Sequence, residues 1–135
     1  AGPVALIQEG MVRGLRPWPT GSALGLEALA TDPSEWPRVD IVVSHAGVDG
    51  VVVDALVAAG ARGLVVEGTG NGTVHEALLG ALERARALGL PVWRSTRCAG
   101  ATVVGAPDGA LHSAGDLSPA KARIELMLRL LTSAA

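Results

Sequence analysis

From Val39 onward the apolar positions fall into two alternating periods. Val39-Asp40-Ile41-Val42-Val43-Ser44 is a β-branched run of the kind buried on both faces of a sheet. Val51–Ala59 is apolar at most positions and stops at Gly60, a residue suited to the position just past a helix. Gly63-Leu64-Val65-Val66-Glu67 reads as a second strand. The glycine turn Gly68-Thr69-Gly70-Asn71-Gly72 follows, and then a helix over about 73–88. Its apolar positions Val74, Ala77, Leu78, Ala81, Leu82, Ala85 and Leu88 keep the i, i+3, i+4 spacing, and Gly89 ends it. Pro91-Val92-Trp93-Arg94-Ser95 predicts a third strand and Ala110-Leu111-His112-Ser113 a short fourth. Ser118-Pro119 supplies an N-cap and a proline at the first helical position. The last helix they open carries Ala120, Ile124, Met127, Leu128 and Leu131 on one stripe.

Strands alternating with helices through short connections predict a parallel sheet covered on both sides. The expected fold is a small three-layer α/β domain, Rossmann-like or flavodoxin-like, with about four parallel strands and helices on both faces. The stretch 97–109 is too short and too rich in glycine for a crossover helix and reads as a loop. Residues 1–38 are different in kind, holding five of the eight prolines and Trp18 and Trp36. Val4-Ala5-Leu6-Ile7 reads as a short strand, paired with Met11-Val12 across Gly10. Proline removes backbone donors and fixes φ, so Arg16–Gly21 forms neither helix nor central strand. Residues 13–38 are expected to wrap or link, with a helical turn near 23–30. The division is thus 1–38 as linker and domain start, and 39–135 as the α/β domain.

Composition narrows the function classes. A chain of 135 residues, 49% apolar and 18% charged, is globular and holds one domain. Eleven basic residues against thirteen acidic ones give −2, and the basic residues are scattered. That excludes the phosphate-neutralising stripe of a nucleic-acid binder. One cysteine, Cys98, excludes an internal disulfide and a thiolate-rich zinc site. No apolar run approaches the roughly 18–20 residues of a membrane span. No signal peptide opens the chain, so the cytoplasm is favoured over the periplasm, and a start without Met marks a mature form or a fragment. With three Trp and neither Tyr nor Phe, aliphatic residues must fill the core.

The Gly68–Thr73 turn is the leading site candidate. Between a strand and a helix N-terminus, free N–H groups and the dipole favour an anion. Its spacing matches neither the P-loop nor the dinucleotide fingerprint, and a tight turn shaped by its glycines is the plain alternative. Ser44-His45 stands at a strand end, where α/β ligands bind, but neighbours on a strand point to opposite faces and make no nucleophile–base pair. His75 and His112 add no ligand spacing, so no metal site is expected. Cys98 reads as a small buried residue. Arg94-Ser95-Thr96-Arg97 places two guanidinium groups and two hydroxyls at the same rim, chemistry suited to carboxylates. Thr31-Asp32-Pro33-Ser34 reads as a cap or turn.

Four blocks then carry a resemblance. They are Val39–Val43, Gly63–Gly72, Val92–Cys98 and Ser113–Arg123. In order and spacing over about 39–131, this succession is similar to the C-terminal domain of bacterial L-asparaginases. The resemblance implies a larger N-terminal domain holding the nucleophilic threonine in a Thr-Gly-Gly-Thr motif, with a second threonine in Thr-Asp-Thr and a lysine. None of these motifs occurs in this chain, so the catalytic set is empty here. In the family this domain caps a neighbouring subunit's active site and offers polar contacts to the ends of the substrate. The Gly-x-Gly-Asn-Gly-x turn is the matching contributor, which implies Asn71 and Thr73 as substrate-binding residues. Many relatives have Asn where this chain has Thr73. Relatives of the secreted type add a glutamate from the loop after the Arg-Ser-x-Arg block; here Gly100–Gly109 is shorter and holds Pro107 and Asp108 but no glutamate.

The implied function is part of an amidohydrolase converting L-asparagine to L-aspartate and ammonia. Its partners would be the N-terminal catalytic domain, L-asparagine and further copies in a homo-oligomer, with no cofactor, metal, nucleic acid or membrane. The alternative is a stand-alone small-ligand or protein-interaction module without catalysis. A flavodoxin-like nucleotide binder would need a phosphate loop and stacking aromatics, and the absence of Tyr and Phe counts against it.

Overall fold

The computed structural model describes residues 3–18, 20, 25–29, 32–104 and 110–133. Among these residues six strands and three α-helices follow in chain order. They are β1 (Ala5–Gln8), β2 (Met11–Gly14), β3 (Val39–Val43), α1 (Val51–Ala58), β4 (Gly63–Gly68), α2 (Glu76–Ala87), β5 (Val92–Thr96), β6 (His112–Ser113) and α3 (Pro119–Ser133). The main sheet runs β3-β4-β5-β6, parallel throughout, in sequence order. The expected four-stranded α/β architecture is therefore present.

Its core has two compartments, one on each face of the sheet. Val42, Leu64, Val66 and Val92 face α1 and α2, where Val53, Leu78, Ala81 and Leu82 close the first compartment. Val39, Val65 and Trp93 face α3, which contributes Ala122, Leu126 and Met127 to the second. Consecutive residues on a strand point to opposite faces, so Leu64, Val65 and Val66 serve both compartments in turn. This is why the continuous apolar run of β4 is the fully buried centre of the sheet. β3 is buried on both faces as expected, Val42 toward one compartment and Val39 toward the other, yet it is an edge strand of the sheet, with Val43 exposed at its end.

Helix ends follow the glycines. Gly60 and Gly89 both take positive φ, +83° and +89°, just past α1 and α2. On α3 the expected stripe is rotated. Ala120 and Ile124 are exposed, while Pro119, Ala122, Leu126 and Met127 are buried. Apolar residues surround this helix, so its period alone does not select a face; packing on Val65 and Trp93 does. The polar groups agree with that choice. Arg123 Nε donates to the Val39 carbonyl at 2.7 Å, and the Arg129 guanidinium lies 5.2 Å from the Trp93 ring centroid.

β6 is two residues long rather than four. Arg94 C=O accepts from Ala114 N just beyond it, and between β5 and β6 the described residues hold no helix. Leu26–Leu29 forms the expected turn as a 3-10 segment, while residues 23–24 and 30 lie outside the described set. β1 and β2 form an antiparallel hairpin with Ile7 opposite Val12. Glu9 and Gly10 at its tip both have positive φ, the pairing that tight two-residue hairpins require. Arg16 joins this segment to the main body through Asp116 at 3.3 Å.

Candidate functional site

The C-terminal ends of β3, β4 and β5 and the N-terminus of α2 converge on one side of the sheet. The turn after β4 folds back on itself. Thr69 N donates to Thr73 C=O at 3.1 Å, and Thr73 N donates to Thr69 C=O at 2.7 Å. A Cβ at Gly68 would stand 2.6 Å from the Gly72 carbonyl carbon and 2.7 Å from the Thr73 oxygen, so only glycine fits beneath the turn. Gly70 and Gly72 take the positive φ values. Asn71 between them does not. The Asn71 Oδ1 instead accepts from Val104 N at 2.8 Å and holds the loop after β5 against the turn.

Because the Thr73 N–H and C=O close the bridge, the helix starts later than 73. Glu76 is its first residue and His75 its N-cap, with Nδ1 accepting from Ala77 N at 3.3 Å. The helix cap is thus His75, two residues beyond the expected start. Histidine is a rare cap beside Ser, Thr, Asp or Asn. Ser44, nearly fully buried, fastens the strand end to this cap. Its Oγ accepts from His75 N at 2.9 Å, and its carbonyl accepts from Arg97 Nη2.

The Arg-Ser-Thr-Arg block does not present its four groups at one rim. Ser95 and Thr96 point inward, Ser95 Oγ donating to Leu117 C=O at 2.7 Å and Thr96 Oγ1 accepting from Cys98 N at 3.1 Å. Arg94 lies under the turn, its Cγ 3.0 Å from where a Gly72 Cβ would stand. Arg97 alone reaches the cleft. Cys98, expected to be buried, is exposed, with Sγ accepting from Gly70 N at 3.2 Å. The His112 ring packs at a tilt of 39° against Trp93, with ring centroids 4.7 Å apart. Asp32 caps the turn at Pro33, as its sequence context predicts. Its hydrogen bonds from the Ser34 N–H and then the Ser34 hydroxyl hold its carboxyl below the usual range. Thr31 lies outside the described residues.

What results is an open cleft of about 530 Å³ lined by Ser44, His45, Ala46, Thr69, Thr73, Val74, His75 and Arg97. Thr73 borders it; Asn71 stands behind it, on the loop side of the turn. Arg97 stands at the strand-end rim, where its block was expected, whereas His75, given no site role from the sequence, joins the cleft as the N-cap of α2. Among the described residues no three His, Cys, Asp or Glu side chains converge to hold a metal ion. No helix among them is long and apolar enough to cross a membrane.

Residues 38–134 match the family described as the glutaminase/asparaginase C-terminal domain. The chain belongs to that family. It is 38% identical over 99 residues to L-asparaginase 2 of Bacillus subtilis, covering 71% of this chain and 26% of that protein. It is likewise 38% identical over 102 residues to L-asparaginase 2 of Escherichia coli, covering 72% and 29%. A probable cytoplasmic L-asparaginase from Campylobacter jejuni superposes with a TM-score of 0.78 at 30% identity, covering 94% of this chain and 43% of that one. This asparaginase C-terminal domain therefore spans between a quarter and a third of the two curated relatives' length, and under half of the solved neighbour.

Proposed function

We propose that the chain acts as the substrate-facing C-terminal domain of an L-asparaginase that hydrolyses L-asparagine to L-aspartate and ammonia. The observation that carries this reading is the place of Thr73 on the open cleft at the strand ends, in a turn that only glycine at 68 permits. The catalytic threonines belong to an N-terminal domain of the whole protein, since this sequence holds neither threonine motif. A hydrolase needs a positioned nucleophile and a proton acceptor, and this domain supplies neither. In this reading Thr73 offers its hydroxyl to the polar end of the substrate, and Asn71 holds the neighbouring loop and the shape of the turn. Residues 1–38 serve as linker and domain start, and the whole enzyme works as a homo-oligomer in which one subunit's cleft faces another's active site.

The test is an ammonia-release assay with L-asparagine. The purified 135-residue chain is expected to give no turnover above buffer. The product of the reading frame extended upstream is expected to carry a Thr-Gly-Gly-Thr motif and to release ammonia. Turnover by the chain alone, or a longer product that carries the motif and leaves asparagine intact, overturns the proposal.

A further inference from the structure

Ser44, at the end of β3, is only 4% exposed, and its polar groups reach three different elements. Its N–H donates to Glu67 C=O on β4 at 2.9 Å, and its carbonyl accepts from Arg97 Nη2 just beyond β5. Its Oγ accepts from His75 N at the start of α2, at 2.9 Å. We propose that Ser44 is a positioning residue that sets, through its bond to His75, where Thr73 stands on the cleft. That Thr73 meets the substrate rests on the asparaginase reading; the hold of Ser44 on Thr73 does not.

The segment that carries Thr73 is short and held at both ends. At its start, Gly68 belongs to β4, and its carbonyl accepts from Arg97 N at 3.0 Å. The chain then closes on itself through the Thr69–Thr73 bridge, and Val74 alone separates that bridge from His75. The other bonds of His75 stay inside the helix. Its Nδ1 accepts from Ala77 N and its carbonyl from Leu79 N, so they move with α2 and give Thr73 no reference to the sheet. The Ser44 hydroxyl supplies that reference. Ser44 cannot follow the turn, because Arg97 reaches across the end of β4, from β5 to β3, to hold its carbonyl. The bond is matched to position more than to stability. His75 is exposed, so water can replace the hydroxyl at its N–H, and Leu78 and Leu82 keep α2 seated on the sheet without it. Loss of the hydroxyl therefore acts locally, on the residues just before the helix.

The first readout is amide hydrogen exchange of the 135-residue chain. In Ser44→Ala the Thr73 and His75 amides are expected to lose protection by about two- to tenfold, the net worth of one hydrogen bond. Leu82 in α2 and Val65 in β4 are expected to keep theirs. Ser44→Thr retains the hydroxyl and is expected to keep protection at all four. The second readout is kinetic, in the full-length product. Ser44→Ala is expected to raise KM for L-asparagine about two- to tenfold and to leave kcat within about twofold. The same substitution in a Thr73→Val background is expected to change KM no further, since Ser44 acts through the Thr73 hydroxyl. Unchanged Thr73 protection in Ser44→Ala, a loss spread evenly over the core amides, or a folded Ser44→Thr chain that behaves as the alanine variant overturns the proposal. So do KM effects of Ser44→Ala and Thr73→Val that simply add. A full-length product that leaves asparagine intact overturns the asparaginase reading instead, and the exchange pattern still decides the role of Ser44.

Discussion

Thr73 contributes to the turn through its backbone and to the cleft through its position, and the two contributions can be separated. The Thr69–Thr73 bridge uses only main-chain groups, and the helix cap belongs to His75. Thr73→Val keeps the β-branched shape and removes the hydroxyl alone. Its melting temperature is therefore expected to stay within error of the parent chain. In the full-length enzyme, loss of a substrate hydrogen bond of about 1 kcal/mol lowers kcat/KM several-fold. A parental kcat/KM for the variant, measured by ammonia release, would remove Thr73 from the substrate-binding set. The family resemblance pointed to this residue, and the strand-end positions of Ser44 and Arg97 to the rim, but not to their meeting Thr73 there. They come together because adjacent parallel strands end at the same level.

At the scale of the elements, the βα unit built from β4, the glycine turn and α2 depends on backbone approach more than on side chains. Gly68→Ala would place a methyl 2.6 Å from the Gly72 carbonyl carbon, against main chain that cannot rotate away. The expected cost is about 1–3 kcal/mol, the usual range for overpacking, read as a lowered denaturation midpoint. Gly80→Ala, within α2, meets only the Arg84 side chain at 3.9 Å. It is expected to raise stability by roughly 0.5–1 kcal/mol, because alanine has the better helix propensity. Equal effects of the two substitutions would contradict the account of the turn. The glycines of this turn were legible as turn residues from their spacing. Which of them is forced by steric approach, and which by a positive φ, was not, since that depends on how the chain returns over Gly68.

Across the whole molecule the β1–β2 hairpin is the least satisfied part. Ile7 and Val12 sit opposite one another on one face, 79% and 69% exposed, with Ala5 and Gly14 beside them. A two-stranded hairpin is marginal in water without an apolar face covered by other structure. The isolated chain is therefore expected to self-associate through this face, seen as a concentration-dependent sedimentation coefficient. Ile7→Lys together with Val12→Thr is expected to restore the monomer. A wild-type chain that stays monomeric at high concentration would remove this face as an association surface.

The sequence by itself determined the order and kind of the main elements, the glycine stops of α1 and α2, and the family. These rest on local periodicity and on residues whose backbone preferences act without distant partners. Tertiary structure decided which face of α3 is buried, because a helix apolar on most sides is oriented only by Val65 and Trp93 beneath it. It decided that β3 is an edge and β4 the centre, since strand order is a matter of pairing rather than composition. It also split the Arg94–Arg97 block between the interior, the turn and the cleft. Alternation along a strand assigns residues to two faces, but what covers each face, and which ends meet over Ser44, exists only once the sheet has formed.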